Sequence, residues 1–422
     1  MKNGSTWQGA FARVGALLAS GFMAACGSGG GDSPAPPPPA PPPPPPPPLS
    51  YRVVPLGVTS WHAANGVPNG RPTPTIARTD AADGSALVAG IRDGAGSPPR
   101  AYSARVTAAG QVEMVSIEPA DGTTFYTYGQ AINGSRTVVG ETSTSTFGRP
   151  FIAPFGAALR VLPEPANEPS VNIRIAYGIN DRGVVVGEWE NKPLLFDGTT
   201  SRILAMPADA NGNRYPASAL DINDDGTAVG VAYTPVGVRP QAAAWTVGAL
   251  NDGLRWLPLL PNPEWSPTSR AWAVNHAGDA VGASYTAMVA GERTVLHAAL
   301  WPGSASVVRD LGSLKGAGAA AFQGESEALA INDHGTVVGS STCAASAALC
   351  GFVWTEQGGM RDLNALIDPA AGWRIHKATG VSNAGFIVAQ AYAGGQTIYE
   401  DVILVPATLP AATTALALRL RP

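Results

Sequence analysis

The residues able to do chemistry are scattered along this chain rather than gathered into motifs. Glu325 and Glu327 form a carboxylate pair that could serve as general acid and base, but no surrounding pattern positions them, and a solvated loop accounts for both. The five histidines, His62, His276, His297, His334 and His376, show no helical or strand spacing that would bring two onto a metal. His297 reads as a strand histidine satisfied by a neighbour. There is no Gly-x-Ser-x-Gly elbow, no His-Glu-x-x-His and no phosphate-binding loop. Gly316-Ala317-Gly318-Ala319-Ala320-Ala321 fits the loose dinucleotide pattern but lies between strands with no helix after it. The sialidase-type Asp box is absent too. No catalytic residue, cofactor or metal is assigned from these residues.

The three cysteines divide by context. Lys2 and Arg13 precede a short apolar stretch, Gly15 to Ala25, too short to span a bilayer as a helix, which reads as a signal-peptide core over residues 1–25. It ends at Met23-Ala24-Ala25-Cys26 before Gly27, which resembles the bacterial lipobox; Cys26 would then carry lipid, enough for stable anchoring. Gly27 in place of Asp reads as the outer-membrane sorting signal. A proline run, Pro34 to Pro48, is broken only by Ala35 and Ala40. It is pre-set to polyproline II, a semi-rigid stalk of roughly 45 Å within residues 26–50. Cys343 and Cys350 remain, and in an oxidising compartment they are expected to form a disulfide.

The elements that must carry any site come from a phrase that recurs roughly every 50 residues. Its clearest copies are Ile179-Asn180-Asp181-Arg182-Gly183-Val184-Val185-Val186-Gly187, Ile222-Asn223-Asp224-Asp225-Gly226-Thr227-Ala228-Val229-Gly230 and Ile331-Asn332-Asp333-His334-Gly335-Thr336-Val337-Val338-Gly339. Two further copies centre on Asn275 and on Asn133, the latter with Arg136 where the others keep Gly. Two worn copies run from Asp83-Gly84 to Ala89-Gly90 and from Val381 to Ala389. Asn and Asp bond to nearby backbone and Gly accepts positive φ, so the phrase is a strand, a tight turn and a second strand. Too few carboxylates alternate for a calcium loop. In the unit of Asn223 the remaining strands are read at Pro240 to Thr246 and Gly253 to Leu259. Trp245, Trp301 and Trp354 recur at one strand position and are expected to wedge between units.

Four strands per repeat, 50 Gly and 39 Pro with 14% charged residues indicate an all-β protein, a seven-bladed β-propeller over 51–406. The last unit lacks a fourth strand, and Tyr51 to Gly57 is an orphan that completes it and closes the ring. The alternative is a β-repeat solenoid, which would need capping repeats. Residues 407–422 form a C-terminal tail. The balance of 27 basic against 31 acidic residues gives no footprint for nucleic acid, and a monomer is expected.

Together with His297-Ala298-Ala299-Leu300-Trp301 and Asp310-Leu311-Gly312, the repeated phrase resembles the bacterial HAF-repeat extracellular proteins over nearly all of 51–406. The resemblance implies a secreted or surface repeat protein and carries over no catalytic residue. Function is therefore sought on the long, variable loops that share one face of a propeller. That face is expected to carry Asn211, Asn213, Arg214, Tyr215, Glu264, Trp265, Arg270, Glu325, Trp373, Arg374 and His376. Of these, Asn213, Arg214, Tyr215, Trp265, Arg270, Trp373, Arg374 and His376 are the candidate ligand residues, a mixture of aromatics, amides and charges suited to a glycan or a protein. The expected role is a surface-anchored binding or adhesion module held to the membrane only through its lipid. The alternative is a secreted polysaccharide hydrolase or lyase working in the propeller's funnel.

Overall fold

In a computed structural model, the residues described are 51–59, 74–94, 97–119, 126–143, 148–168, 174–261, 268–286, 295–303, 306–315, 324–395 and 398–408. Cys26, the proline run, Trp265, the Gly316 to Ala321 segment and most of the C-terminal tail lie outside them. The described strands make seven four-stranded antiparallel sheets, which we number as blades 1 to 7 along the chain. Their innermost strands are Thr75–Ile76, Tyr126–Ile132, Arg174–Ile179, Ala217–Ile222, Ser269–Val274, Ser326–Ile331 and Trp373–Val381. Blade 7 is completed by the strand Tyr51–Thr59, which pairs with Glu400–Pro406 in the register Tyr51 to Pro406 through Pro55 to Val402. The ring is thus a seven-bladed propeller closed by its own N-terminal strand, with no solenoid ends.

The core is divided among the joints between blades. Seven clusters of buried apolar side chains each join two neighbours, the last linking Val54, Ile403 and Phe386 of blade 7 to Val88 and Tyr102 of blade 1. Trp245, Trp301 and Trp354 each pack against the preceding blade, as their recurrence implies. The Trp245 and Trp301 indoles donate to Ala205 O and Pro258 O.

Each position of the repeated phrase has a distinct physical task. The Asn Oδ1 accepts from backbone N–H groups two and four residues on, as Asn223 does from Asp225 and Thr227. The same amide's Nδ2 reaches the next blade: Asn133 to Asn180 O, Asn180 to Asn223 O, Asn223 to Asn275 O, Asn275 to Asn332 O and Asn332 to Ser382 O, at 2.9–3.3 Å. The first Gly takes positive φ, between 75° and 87° in six blades, and Arg136 takes 59° in blade 2. The second Gly lies opposite a bulge of the innermost strand. A Cβ on Gly140, Gly187, Gly230, Gly282 or Gly339 would come within 1.8–2.0 Å of the carbonyl oxygen of that strand. The worn copies coincide with departures from this pattern: the bulge is missing from the two-residue inner strand of blade 1, and blade 7 carries a second one beside it.

Two expectations are corrected. The outermost strand of blade 4 is only Arg255–Trp256, preceded by a 3-10 turn at Leu250–Gly253, because Leu257 and Leu260 turn into the joint with blade 5 instead. Glu327 is not on a solvated loop; it lies half-buried in the innermost strand of blade 6 and accepts the Trp272 Nε1–H at 2.6 Å. Cys343 and Cys350 are joined by a disulfide that ties the hairpin between the second and third strands of blade 6.

Candidate functional site

The bulged residues fill the middle of the ring. Gln130, Tyr177, Leu220, Trp272, Leu329 and Thr379 each lie between two paired positions of an innermost strand, and all are buried. Tyr177, Leu220, Trp272 and Leu329 pack together with Ile175, so four blades meet in one apolar plug.

The end of the ring bearing the Asn turns, the turn face, is closed in addition by Arg78. In blade 1 Ala77 bonds to Leu87 and Ala81 to Ser85, so three residues, Arg78, Thr79 and Asp80, replace the single Ile331 of blade 6. Arg78 extends across to the far blades. Its Nη2 donates to Val274 O and lies 3.4 Å from Asp221 Oδ2, and its Nε is 3.8 Å from Asp333 Oδ1. Asp221 is the one carboxylate where the other blades place Ala or Gly. A cavity of about 50 Å³ remains between plug and arginine, bordered by residues from every blade.

At the opposite end, the loop face, polar and aromatic side chains border open hollows among the described residues. Two adjoining hollows of about 80 and 200 Å³ share Arg270 as a wall. Glu188, Ser218, Tyr233 and Trp272 border the first, and Tyr285 and Glu327 border the second. Arg270 is half-buried, with its guanidinium 4.8 Å above the Trp272 ring. Among the described residues it has no hydrogen-bond acceptor. Ser218 Oγ donates to Glu188 Oε2 at 2.6 Å. Burial raises the Glu188 pKa above the ordinary carboxylate value, opposed by the bonds from Ser218 and the Asn191 N–H and by the charge of Arg270. In blade 2, at the same strand position as Glu188, Glu141 accepts from Tyr126 Oη at 2.8 Å, and burial pushes its pKa up to about 7. Tyr177 stands close enough to feel both carboxylates, and burial and their charges raise its pKa well above the usual range.

The sequence-derived candidates fall in three places. Arg270 is at this mouth. Asn213, Arg214 and Tyr215 lie on the link from blade 3 to blade 4, where Asn213 Nδ2 bonds to Asp209 Oδ2 and Arg214 borders an open side groove of about 700 Å³. Trp373, Arg374 and His376 belong to blade 7. Arg374 Nη2 lies 3.3 Å from the Cys343 sulfur, and the His376 ring packs at a tilt against Tyr399, 4.6 Å between ring centroids. Burial, with Lys377 and Arg374, lowers the His376 pKa to about 4. His297 is satisfied by Asp310, 2.9 Å away, so two phrases of the repeat meet as one strand pair. Glu141, Glu188, Trp272, Tyr233 and Tyr285 were missed. The signal for them was present: Glu141 and Glu188 directly follow the second Gly of the repeat, where other blades have Val231, Ala283 and Ser340.

No family model matches this chain. No curated protein matches it either. Among solved structures it is similar to one described as the beta-propeller domain of the Trilobed protease from Pyrococcus furiosus, with an open velcro topology. The identity is 10%, covering 82% of this chain and 98% of that one, with a TM-score of 0.38. The propeller assignment rests on the strand pairing given above.

Proposed function

We propose that the protein is a surface-anchored binding module that takes a glycan or protein chain at the loop-face mouth of its propeller. The observation that carries this reading is Arg270, seated on Trp272 between two hollows and without an acceptor among the described residues. Tyr233 and Tyr285 supply faces for stacking, and Glu188 and Ser218 supply polar contacts, the mixture expected of a ligand site. At the turn face the Asn bonds tie the blades together and Arg78 crosses the ring, leaving a cavity of about 50 Å³. The described chain enters the ring at Tyr51, paired with Pro406 at the turn face. Lipidation at Cys26 and membership of the HAF-repeat proteins belong to the same proposal.

Screening the full-length protein on glycan and peptide arrays, beside its Arg270→Ala variant, tests the binding site; ligands held equally by both would remove this mouth from consideration. The anchor is tested separately. Cys26→Ser should release the protein from the membrane fraction or block its maturation, and unchanged fractionation would defeat the lipoprotein reading.

One observation favours a second reading, hydrolysis of a bound polysaccharide. Glu141, whose pKa burial pushes up to about 7, and Glu188 stand on neighbouring blades, and the charges of both reach Tyr177; glycosidases use an acid with a raised pKa together with a second carboxylate. Release of reducing ends that Glu141→Gln abolishes without loss of binding would select it.

A further inference from the structure

We infer that the ligand of the loop-face mouth carries a carboxylate, and that it is a uronate-containing polysaccharide held by Arg270. The inference rests on the binding reading above and comes from an inventory of hydrogen-bonding capacity at the mouth. Its carboxylates already have protein donors: Glu188 has Ser218 Oγ, Glu327 has Trp272 Nε1 and Glu141 has Tyr126 Oη. Arg270, the guanidinium that borders both hollows, has the opposite condition. It rests on an indole face, which engages its π system, and among the described residues none of its N–H donors has an acceptor.

A half-buried donor fork of this kind is matched by a planar, two-oxygen acceptor, which a carboxylate provides and a neutral hydroxyl does not. The stacking on Trp272 fixes the plane of the fork before the ligand arrives, which lowers the ordering cost of binding. Tyr233 and Tyr285 occupy the same place at the ends of the second strands of blades 4 and 5, and both border the hollows that Arg270 separates. They offer ring faces for sugars on either side of the charged contact. Glu188 and Glu327 flank the Arg270 guanidinium, one in each hollow. Their field disfavours densely charged ligands, so one carboxylate per sugar fits the site better than a heavily sulfated chain.

The test uses the full-length protein in detergent with three probes: oligogalacturonate, the same oligomer fully methyl-esterified, and a sulfated oligosaccharide of equal length. Oligogalacturonate should bind, and the ester, which keeps the sugar and loses the charge, should bind roughly tenfold more weakly or worse. Arg270→Ala should lose that difference. Arg270→Lys, which keeps the charge and loses the fork, should not restore it, while Arg182→Ala on the turn face should behave as the parent. If Arg270→Ala melts early, the acid-to-ester ratio of the Lys variant decides. Equal binding of acid and ester, or preference for the sulfated probe, overturns the uronate inference and leaves the binding module standing. No binding of any glycan or peptide on the arrays overturns both.

Discussion

Asn223 uses both ends of its amide, the oxygen for its own turn and the nitrogen for the next blade. Asn223→Ala removes both functions and leaves buried backbone groups without partners, at a cost of about 2–3 kcal/mol. Asn223→Asp keeps the turn acceptor and loses the inter-blade donor, so urea denaturation should rank it between the parent and the alanine variant. Glu141 gives a pH-dependent effect of known sign. Its folded pKa, up to about 7 by burial, exceeds the ordinary value of 4.5, so the fold favours the neutral acid. Stability should fall as pH rises from about 4.5 to about 7 and then level off. Chemical denaturation across that range should find the slope reduced in Glu141→Gln. The repeated Asn was recognisable as a turn residue because the N–H groups that donate to it are only two and four positions away. Its second role was hidden, since the partner is a backbone carbonyl in another repeat and has no side-chain signature. Glu141 and Glu188 were overlooked for a related reason: a charged residue in a strand reads as solvent-facing until the sheet is rolled into a blade.

Strands and turns were more legible than individual roles, and the second Gly of the phrase shows where that legibility ended. It could be counted in the sequence, but its cause is an inner-strand bulge pressing a carbonyl against it. Gly339→Ala places a methyl 1.9 Å from Glu327 O and must displace the inner strand, with an expected loss of about 1–3 kcal/mol or more. Gly335→Ala meets no atom within 4 Å and bears only the strain of φ 75°, about 1 kcal/mol. Comparing the two melting temperatures separates close approach from backbone strain; a larger loss at Gly335 would refute the bulge account. The outermost strands were the least readable elements. Arg255–Trp256 pairs over two residues while the apolar run around it continues, because Leu257 and Leu260 serve the joint with blade 5 and not the sheet.

For the molecule as a whole, closure follows from strand arithmetic, three strands at one end and an orphan at the other. Deleting residues 51–57 should unpair most of the strand facing Glu400–Pro406 and strip Val54 and Leu56 from the joint between blades 7 and 1. The loss should be several kcal/mol, comparable to a domain's entire margin, seen as aggregation or a large fall in melting temperature. Deleting 34–48 should leave melting unchanged; equal effects of the two deletions would rule out closure by the N-terminal strand. The mouth itself was not legible in the same way. Glu188, Arg270 and Glu327 are separated by whole repeats and become neighbours only when the ring closes, whereas the residues drawn from variable loops ended in three separate places.

The closing strand has a mechanical consequence. Tyr51 begins at the turn face and the strand runs toward the loop face, antiparallel to Glu400–Pro406. A ligand held at the loop face and a tether upstream of Tyr51 would pull in opposite directions along these strands. Such a load shears the ladder, so its hydrogen bonds share the force and must yield together instead of opening one by one. The seam that closes the ring would therefore meet such a load in shear. Pulling the same two strands apart sideways, from Tyr51 and Pro406, would open that seam from one end at far lower force.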